Sequence, residues 1–421
     1  MTIKSRVIIA ATITSTLLVT LIWASALPFG FSQNSTNVTG TINSNTAWTK
    51  ANSPYNLTGP VTIDLGATLT IEAGATANLN GYHIQVNGNF ILRGTRTDKI
   101  YINGGGISDQ IQWYDEQLYF TMYSTSIIEN AVITLTSPNA IYIETTSTQL
   151  YSNVINGDIW VNGVLSAPTI SNNTITGQIL ISGGSSTISN NTVRGTVSAT
   201  GSCTISNNTI LGNGEDEGVF TGGDKPVVSN NIISGCKIGI RAYYSSTIEK
   251  NLVANNSRYG IDVGIGSHFI RNNTIANNTI GINSPKPTST IIYNNIVNNS
   301  KYNIYLDTYS VYSVVAPNNW WGTTDIPKIN QTINSKYNNL NLVTVNFIPI
   351  LTMPNPQATP NLNLDSNPSP TAEPTSAPMP SPTPSLSPSP TIPEFPKWIV
   401  VLVIVVASAA LIAYKRKKRA K

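Results

Sequence analysis

Only 10% of the 421 residues are charged, and the formal net charge is +4. Eight cations stand at the two ends: Lys4 and Arg6 before the first apolar run, and Lys415, Arg416, Lys417, Lys418, Arg419 and Lys421 after the last. That leaves 16 of the 24 basic residues to face 20 acidic ones between them. A middle of about −4 gives no footing to a nucleic-acid-binding surface, and so few charges in so long a chain argue against an ordinary cytosolic enzyme.

In chain order, Lys4 and Arg6 introduce an apolar stretch from Val7 to about Leu27. It ends in the small residues Ala24, Ser25 and Ala26, so residues 1–27 read as a secretory signal, with an uncleaved N-terminal anchor as the alternative. Residues 28–59 form an N-terminal extension. From residue 60 onward the pattern is that of short strands: the stretch from Val61 to Thr95 alternates apolar and polar residues between Gly and Asn turns, consistent with the first coils of a solenoid.

The middle of the chain repeats itself, as SNVI, SNNTI, SNNTV, SNNTI, SNNII, EKNLV, RNNTI, YNNIV and PNNWW. Aligning these places one Asn per repeat at Asn130, Asn153, Asn173, Asn191, Asn208, Asn231, Asn251, Asn273, Asn295 and Asn319, spaced 17 to 24 residues apart. A period near 21 is too short for helical hairpins and suits one turn of a β-solenoid. Three residues before each Asn stands an apolar residue (Ile127, Leu150, Ile170 through Ile292 and Ala316), and two after it another (Val132, Ile155, Ile175 through Val297 and Trp321). A second strand supplies Ile141, Ile159, Ile179, Val197, Val219, Ile240, Ile261, Ile282 and Ile304, often followed two residues later by another apolar residue, which is a strand period. Stacked copies of the Asn can exchange amide hydrogen bonds from coil to coil, so these residues read as structural.

This pattern resembles the right-handed parallel β-helix proteins with NosD-like and carbohydrate-binding or sugar-hydrolase-type repeats, over about residues 120–322. The resemblance implies an all-β, single-stranded right-handed parallel β-helix across residues 60–322. NosD-like proteins are associated with copper-centre maturation, but the likeness is confined to the repeat and carries no metal-binding residue over. Enzymes on this fold work in a groove along the outer face of a sheet, with acidic clusters, a basic group and in some cases calcium. Neither the paired-Asp pattern of the hydrolases nor a lyase-type cluster is legible here.

Past the repeat, Ile326, Ile329, Ile333, Tyr337 and Leu340 have helical spacing and precede the strand-like LVTVNFIPIL, so residues 323–353 are expected to cap the open sheet edge. Residues 354–396 hold fourteen of the 25 prolines and read as an extended stalk. Seventeen uncharged residues from Trp398 to Tyr414, followed at once by KRKKRAK, make residues 397–414 a single transmembrane helix and residues 415–421 a basic cytoplasmic tail. The PEF run at Pro393, Glu394 and Phe395 before that span resembles the C-terminal sorting signals of archaeal surface proteins. Eleven sequons, at Asn34, Asn37, Asn56, Asn172, Asn190, Asn207, Asn255, Asn272, Asn277, Asn298 and Asn330, are candidate glycosylation sites of an exported chain.

Outward positions of the second strand give a candidate carbohydrate-binding stripe of Tyr142, Trp160, Phe220, Arg241, Asp262 and Tyr305, with aromatic faces for sugar rings and an Arg–Asp pair for hydroxyls or carboxylates. A solvated face with scattered aromatics is the plainer reading. Glu215, Asp216 and Glu217 form the one acidic cluster, able to take calcium or to supply an acid or base, or simply to be a solvated loop. No other cofactor is implied: Cys203 and Cys236 do not share a column, leaving buried thiols or a disulfide open, and His83 and His268 keep no zinc spacing with them. The expectation is a surface protein held by one C-terminal span, its body binding or organising extracellular polysaccharide or envelope components without catalysis. The alternative is a tethered polysaccharide lyase or glycoside hydrolase.

Overall fold

The computed structural model describes residues 35–104, 118–120, 126–135, 140–144, 147–163, 166–283, 285, 288–307 and 313–360. The signal segment, Asn34, most of the stalk, the apolar span and the basic tail lie outside the described residues. Among the described residues no helix is long and apolar enough to cross a membrane.

The described body is a parallel β-solenoid. Each coil carries three short strands, shown by Thr247–Glu249, Leu252–Ala254 and Tyr259–Val263. Strands of the first kind stack into a 12-stranded parallel sheet. The second and third kinds stack likewise and merge into one 25-stranded sheet, because Tyr55–Ile63 runs through both kinds of position and pairs with Thr76–Asn78 and with Ile84–Val86. Coiling begins before residue 60: Thr36–Ile42 pairs with Tyr55–Ile63, and Thr46–Trp48 pairs with Thr68–Ile71.

Each coil points its apolar residues at one axis. Ile188, Val193 and Val197 are fully buried, as are Ile248, Val253 and Ile261. Between the first two strands the backbone turns through a left-handed residue, Asn172, Asn190, Asn207, Asn230 or Asn272 in five coils, with φ between 56° and 58° in four of them and 53° at Asn272. The next residue is the buried ladder Asn. In Asn191, for example, Nδ2 donates to Ile170 O (2.8 Å) and to Asn208 Oδ1 (3.0 Å), while Oδ1 accepts from the backbone and side-chain nitrogens of Asn173. The backbone groups exposed by the turn are thereby satisfied without water.

Two rungs differ from the alignment by one residue. The ladder runs through Asn294, not Asn295, since Asn294 donates to Asn319 Oδ1 and accepts from Asn273. Asn130 sits at the left-handed corner (φ 51°), and Ala131 takes the ladder position, its N–H donating to Asn153 Oδ1. Ile128, Ile133, Ile291 and Ile296 are therefore the buried residues, and Ile127, Val132, Ile292 and Val297 face outward. A one-residue slip exchanges the faces of a strand.

A second ladder, not foreseen, lines the next corner: Asn256 donates to Asn278 Oδ1, and Asn278 to Asn299 Oδ1. Cys236 holds the same position one coil earlier, its N–H donating to Asn256 Oδ1. Against this corner stack Gly218, Gly239, Gly260 and Gly281. A Cβ on Gly239 would lie 2.5 Å from a Val253 methyl and 2.8 Å from the Asn256 amide nitrogen, so the strand approaches the corner only as glycine.

The C-terminal region covers the last coils. The helix Ile326–Gln331 is capped by Asp325, whose side chain accepts from Lys328 N–H, and it buries Ile329. It stops well short of Leu340: Ile333–Asn334 is a strand paired with Tyr302–Tyr305, and Tyr337 and Leu340 are exposed. The chain then returns across the coils. Asn355 exchanges backbone–side-chain hydrogen bonds with Asn295 and donates to Asn272 Oδ1 and Tyr293 O, and Thr274 Oγ1 donates to Ala358 O. The start of the Pro-rich segment is thus tied to the body.

Candidate functional site

The outward residues of the third strands form one unbroken parallel register. Tyr142 pairs with Trp160, Trp160 with Leu180, Leu180 with Ser198, Ser198 with Phe220, Phe220 with Arg241, Arg241 with Asp262, Asp262 with Asn283 and Asn283 with Tyr305. All of them are half-buried. All six stripe candidates therefore lie on one face, in steps of about 4.8 Å. Asn162 Nδ2 donates to Tyr142 Oη, and the Trp160 indole N–H has no partner among the described residues.

At the centre of the stripe the charges converge. Arg241 Nε contacts Asp262 Oδ2 at 3.0 Å and its Nη1 contacts Glu217 Oε1 at 2.5 Å; Asn283 Nδ2 donates to Asp262 Oδ1 at 2.7 Å. Glu217, a metal candidate with Glu215 and Asp216, thus pairs with Arg241 of the candidate carbohydrate-binding stripe. Burial pushes the Glu217 carboxyl above its ordinary value and the Asp262 carboxylate adds to this, while the Arg241 guanidinium opposes it. Glu217 reaches Arg241 although it pairs in register with Ile238, three residues earlier on the adjacent strand.

Glu215 and Asp216 remain exposed in the preceding loop, their N–H groups accepted by Asn213 Oδ1. Among the described residues no three His, Cys, Asp or Glu side chains form a group that could hold a metal ion. Cys203 and Cys236 are buried free thiols. His268 is buried in a column with Ser246 and Ser289, its Nδ1 3.0 Å from Ser246 Oγ and its backbone N–H donating to Ser289 Oγ.

Seven of the sequons fall into two columns. Asn172, Asn190, Asn207 and Asn272 are left-handed first-corner residues, and Asn255, Asn277 and Asn298 are exposed left-handed residues of the second corner. The Asn-Asn-Thr run thus spells corner, ladder and strand, which gives it a structural reason to recur. Asn37 is exposed in the first strand, while Asn56 and Asn330 are half-buried.

Beside the stripe is a feature that sequence reasoning missed. A shallow pocket of about 410 Å³ is lined by Gly222, Gly223, Asp224, Lys225, Tyr244 and Ser245, in the loops that leave the third strands. The Tyr243 and Tyr244 rings meet edge-on at 5.0 Å and are 45% and 47% exposed. The signal was a Tyr-Tyr pair and a Gly-Gly-Asp-Lys run, one coil apart, just past the outward stripe; their loops have no period to align.

A family model described as a right handed beta helix region matches residues 120–284 and again 218–340, together just over half of the chain. The chain belongs to the right-handed β-helix family. That match sets the hand of the coil, while the parallel register sets its pitch and its faces. No curated protein and no solved structure gave a significant match.

Proposed function

We propose that this right-handed β-helix is an exported, cell-surface protein that binds or organises extracellular polysaccharide or envelope components without catalysis. The observation that carries the reading is the continuous outward stripe from Tyr142 to Tyr305, in which aromatic side chains flank a hydrogen-bonding centre of Glu217, Arg241, Asp262 and Asn283. Steps of about 4.8 Å along the axis suit a repeating polymer laid across successive coils. The Arg241 charge is answered on both sides by carboxylates, an arrangement that recognises hydroxyls by hydrogen bonding rather than one that frees a base for proton abstraction.

In this reading residues 1–27 export the chain, the Pro-rich stalk holds the body off the membrane, residues 397–414 span it, and the PEF segment is a sorting signal; the support is the composition and order of these segments. The exposed sequons carry glycans, and the NosD-like likeness extends to the coil and not to copper. A glycan array probed with the full-length chain tests the proposal: binding that weakens in Trp160→Ala and Arg241→Ala, with no new reducing ends or unsaturated products, is expected. Absence of binding to any glycan refutes it.

One observation favours a second reading, that of a surface-tethered lyase or glycoside hydrolase. Glu217 has a raised carboxyl close to the Asp262 carboxylate, the kind of asymmetry that separates an acid from a base. Turnover abolished in Glu217→Gln would establish it.

A further inference from the structure

The corner pocket beside the stripe has the features of a built recess. Its floor is backbone: a Cβ on Gly223 would collide with Thr200 O and Gly201 O, and one on Gly222 would press on the Phe220 ring. One wall is the Tyr244 ring, held against Tyr243, and Ile265 in the next coil is 54% exposed. Gly264 and Gly266 bring that next loop close, since a Cβ on either would meet Tyr243 or the Tyr244–Ser245 backbone. The rim carries Asp224 and Lys225, both exposed. Lys225 has φ 49° directly before Pro226, where a chain is ordinarily extended, and such strain clusters at sites that use it. The volume lies within the range of small-molecule sites.

Charge decides what fits. Asp224 and Lys225 are adjacent and opposite, and Arg241, two residues before Tyr243, is held between Glu217 and Asp262. The pocket lining carries one cation and one carboxylate, so it offers no net positive charge to an anionic sugar, while an aromatic face, a carboxylate acceptor and an ammonium donor are what a hydroxylated ring uses. Phe220 joins pocket and stripe, because it pairs with Arg241 and its ring lies under Gly222. We propose that this pocket is a subsite for one neutral pyranose unit, stacked on Tyr244 and hydrogen-bonded by Asp224 and Lys225. The inference deepens the polysaccharide-binding reading and rests on it.

The test is calorimetric titration of the full-length chain in detergent with neutral hexasaccharides of β-1,4-glucan, α-1,4-glucan and β-1,4-mannan, and with a hexagalacturonate. The expected result is that a neutral hexasaccharide binds, that Tyr244→Ala weakens it about tenfold while Tyr244→Phe keeps it, and that Asp224→Asn weakens it further in the double variant. All variants should melt as the wild type does, since these side chains are exposed. If a neutral hexasaccharide binds and is weakened by Trp160→Ala or Arg241→Ala but not by Tyr244→Ala, the pocket is not a subsite and the stripe reading stands. Binding of the galacturonate alone overturns the neutral-sugar assignment. No binding by any probe at millimolar concentration sinks both readings.

Discussion

Replacing one rung of the first Asn ladder is the sharpest test of how the coil is held. In Asn191→Ala four side-chain hydrogen bonds disappear: two donated by Nδ2, to Ile170 O and Asn208 Oδ1, and two accepted by Oδ1, from Asn173 N and Nδ2. At about 1 kcal/mol net each the loss is ~4 kcal/mol, of which the stranded Asn173 N–H, buried where water does not reach, accounts for ~1–3 kcal/mol. Each coil touches only its neighbours, so the damage should stay local and a whole-chain melt is a blunt probe. Hydrogen exchange is the better assay. Amides of Thr174–Thr176, Thr192–Arg194 and Thr209–Leu211 should exchange on the order of a hundred- to a thousandfold faster, while the cap is unaffected. The control is Asn190→Gly at the adjacent corner, where φ is 56° and glycine needs no side chain to adopt it; exchange should change less than about threefold. If Asn191→Ala and Asn190→Gly behave alike, the ladder contributes nothing beyond turn conformation and the account of the corner is wrong.

The remaining expectations are smaller. Gly239→Ala should lower the denaturant midpoint by an amount equivalent to ~1–3 kcal/mol, because its methyl would meet Val253, Gly260 O and Asn256; an unchanged midpoint would show that the corner has slack. Burial raises the Cys203 thiol and pushes Cys236 up to about 11, so neither should react with Ellman's reagent at pH 8 until denaturant is added, when both should titrate. The Glu217 carboxyl is raised above its ordinary value of 4.5, so the folded state binds that proton more tightly than the unfolded chain. Its stabilising effect is complete below pH 4.5 and is lost as pH rises through the raised value. Wild type should therefore lose melting temperature across that window relative to Glu217→Gln, and parallel curves would remove the basis for treating Glu217 as perturbed.

What could be read from the sequence followed from period, and what could not followed from its interruptions. The coil was legible because burial along one axis forces an apolar residue into the same place each turn, as with Ile170, Ile188, Ile205 and Val228. The outward stripe was legible for the same reason, one residue past the third-strand column of Ile141, Ile159 and Ile179. The register slipped at Asn130 and at Asn295, where the motif offered the wrong Asn: in the first rung the corner residue is Asn and the ladder position Ala131, and in the YNNIV rung Tyr293 takes the corner, so the earlier Asn of the pair goes inward. Only the hydrogen bonds separate those choices, because both residues are Asn or neighbours of one. The meeting of Glu217 with Arg241 was hidden because it joins residues out of register, Glu217 pairing with Ile238 and Arg241 with Phe220, and the pocket at Tyr244 because corner loops have no fixed length.

That division has a functional consequence. Every inward position is constrained by the coil above and below, so chemical individuality in this chain is confined to outward strand positions and to the loops that leave them. Among the described residues, one place where outward strand positions and the loops after them carry charge and aromatic side chains in consecutive coils runs from Phe220 through Arg241 and Tyr244 to Asp262. Ser182, Ser198 and Thr200, one to two coils earlier, offer only hydroxyls. A ligand that gains from the charged centre must therefore engage at least two coils at once, and the affinity of oligosaccharides should rise with length until the coils from Trp160 to Asn283 are spanned, then level off. A length series showing full affinity in a disaccharide would place all of the recognition in one pocket and none in the stripe.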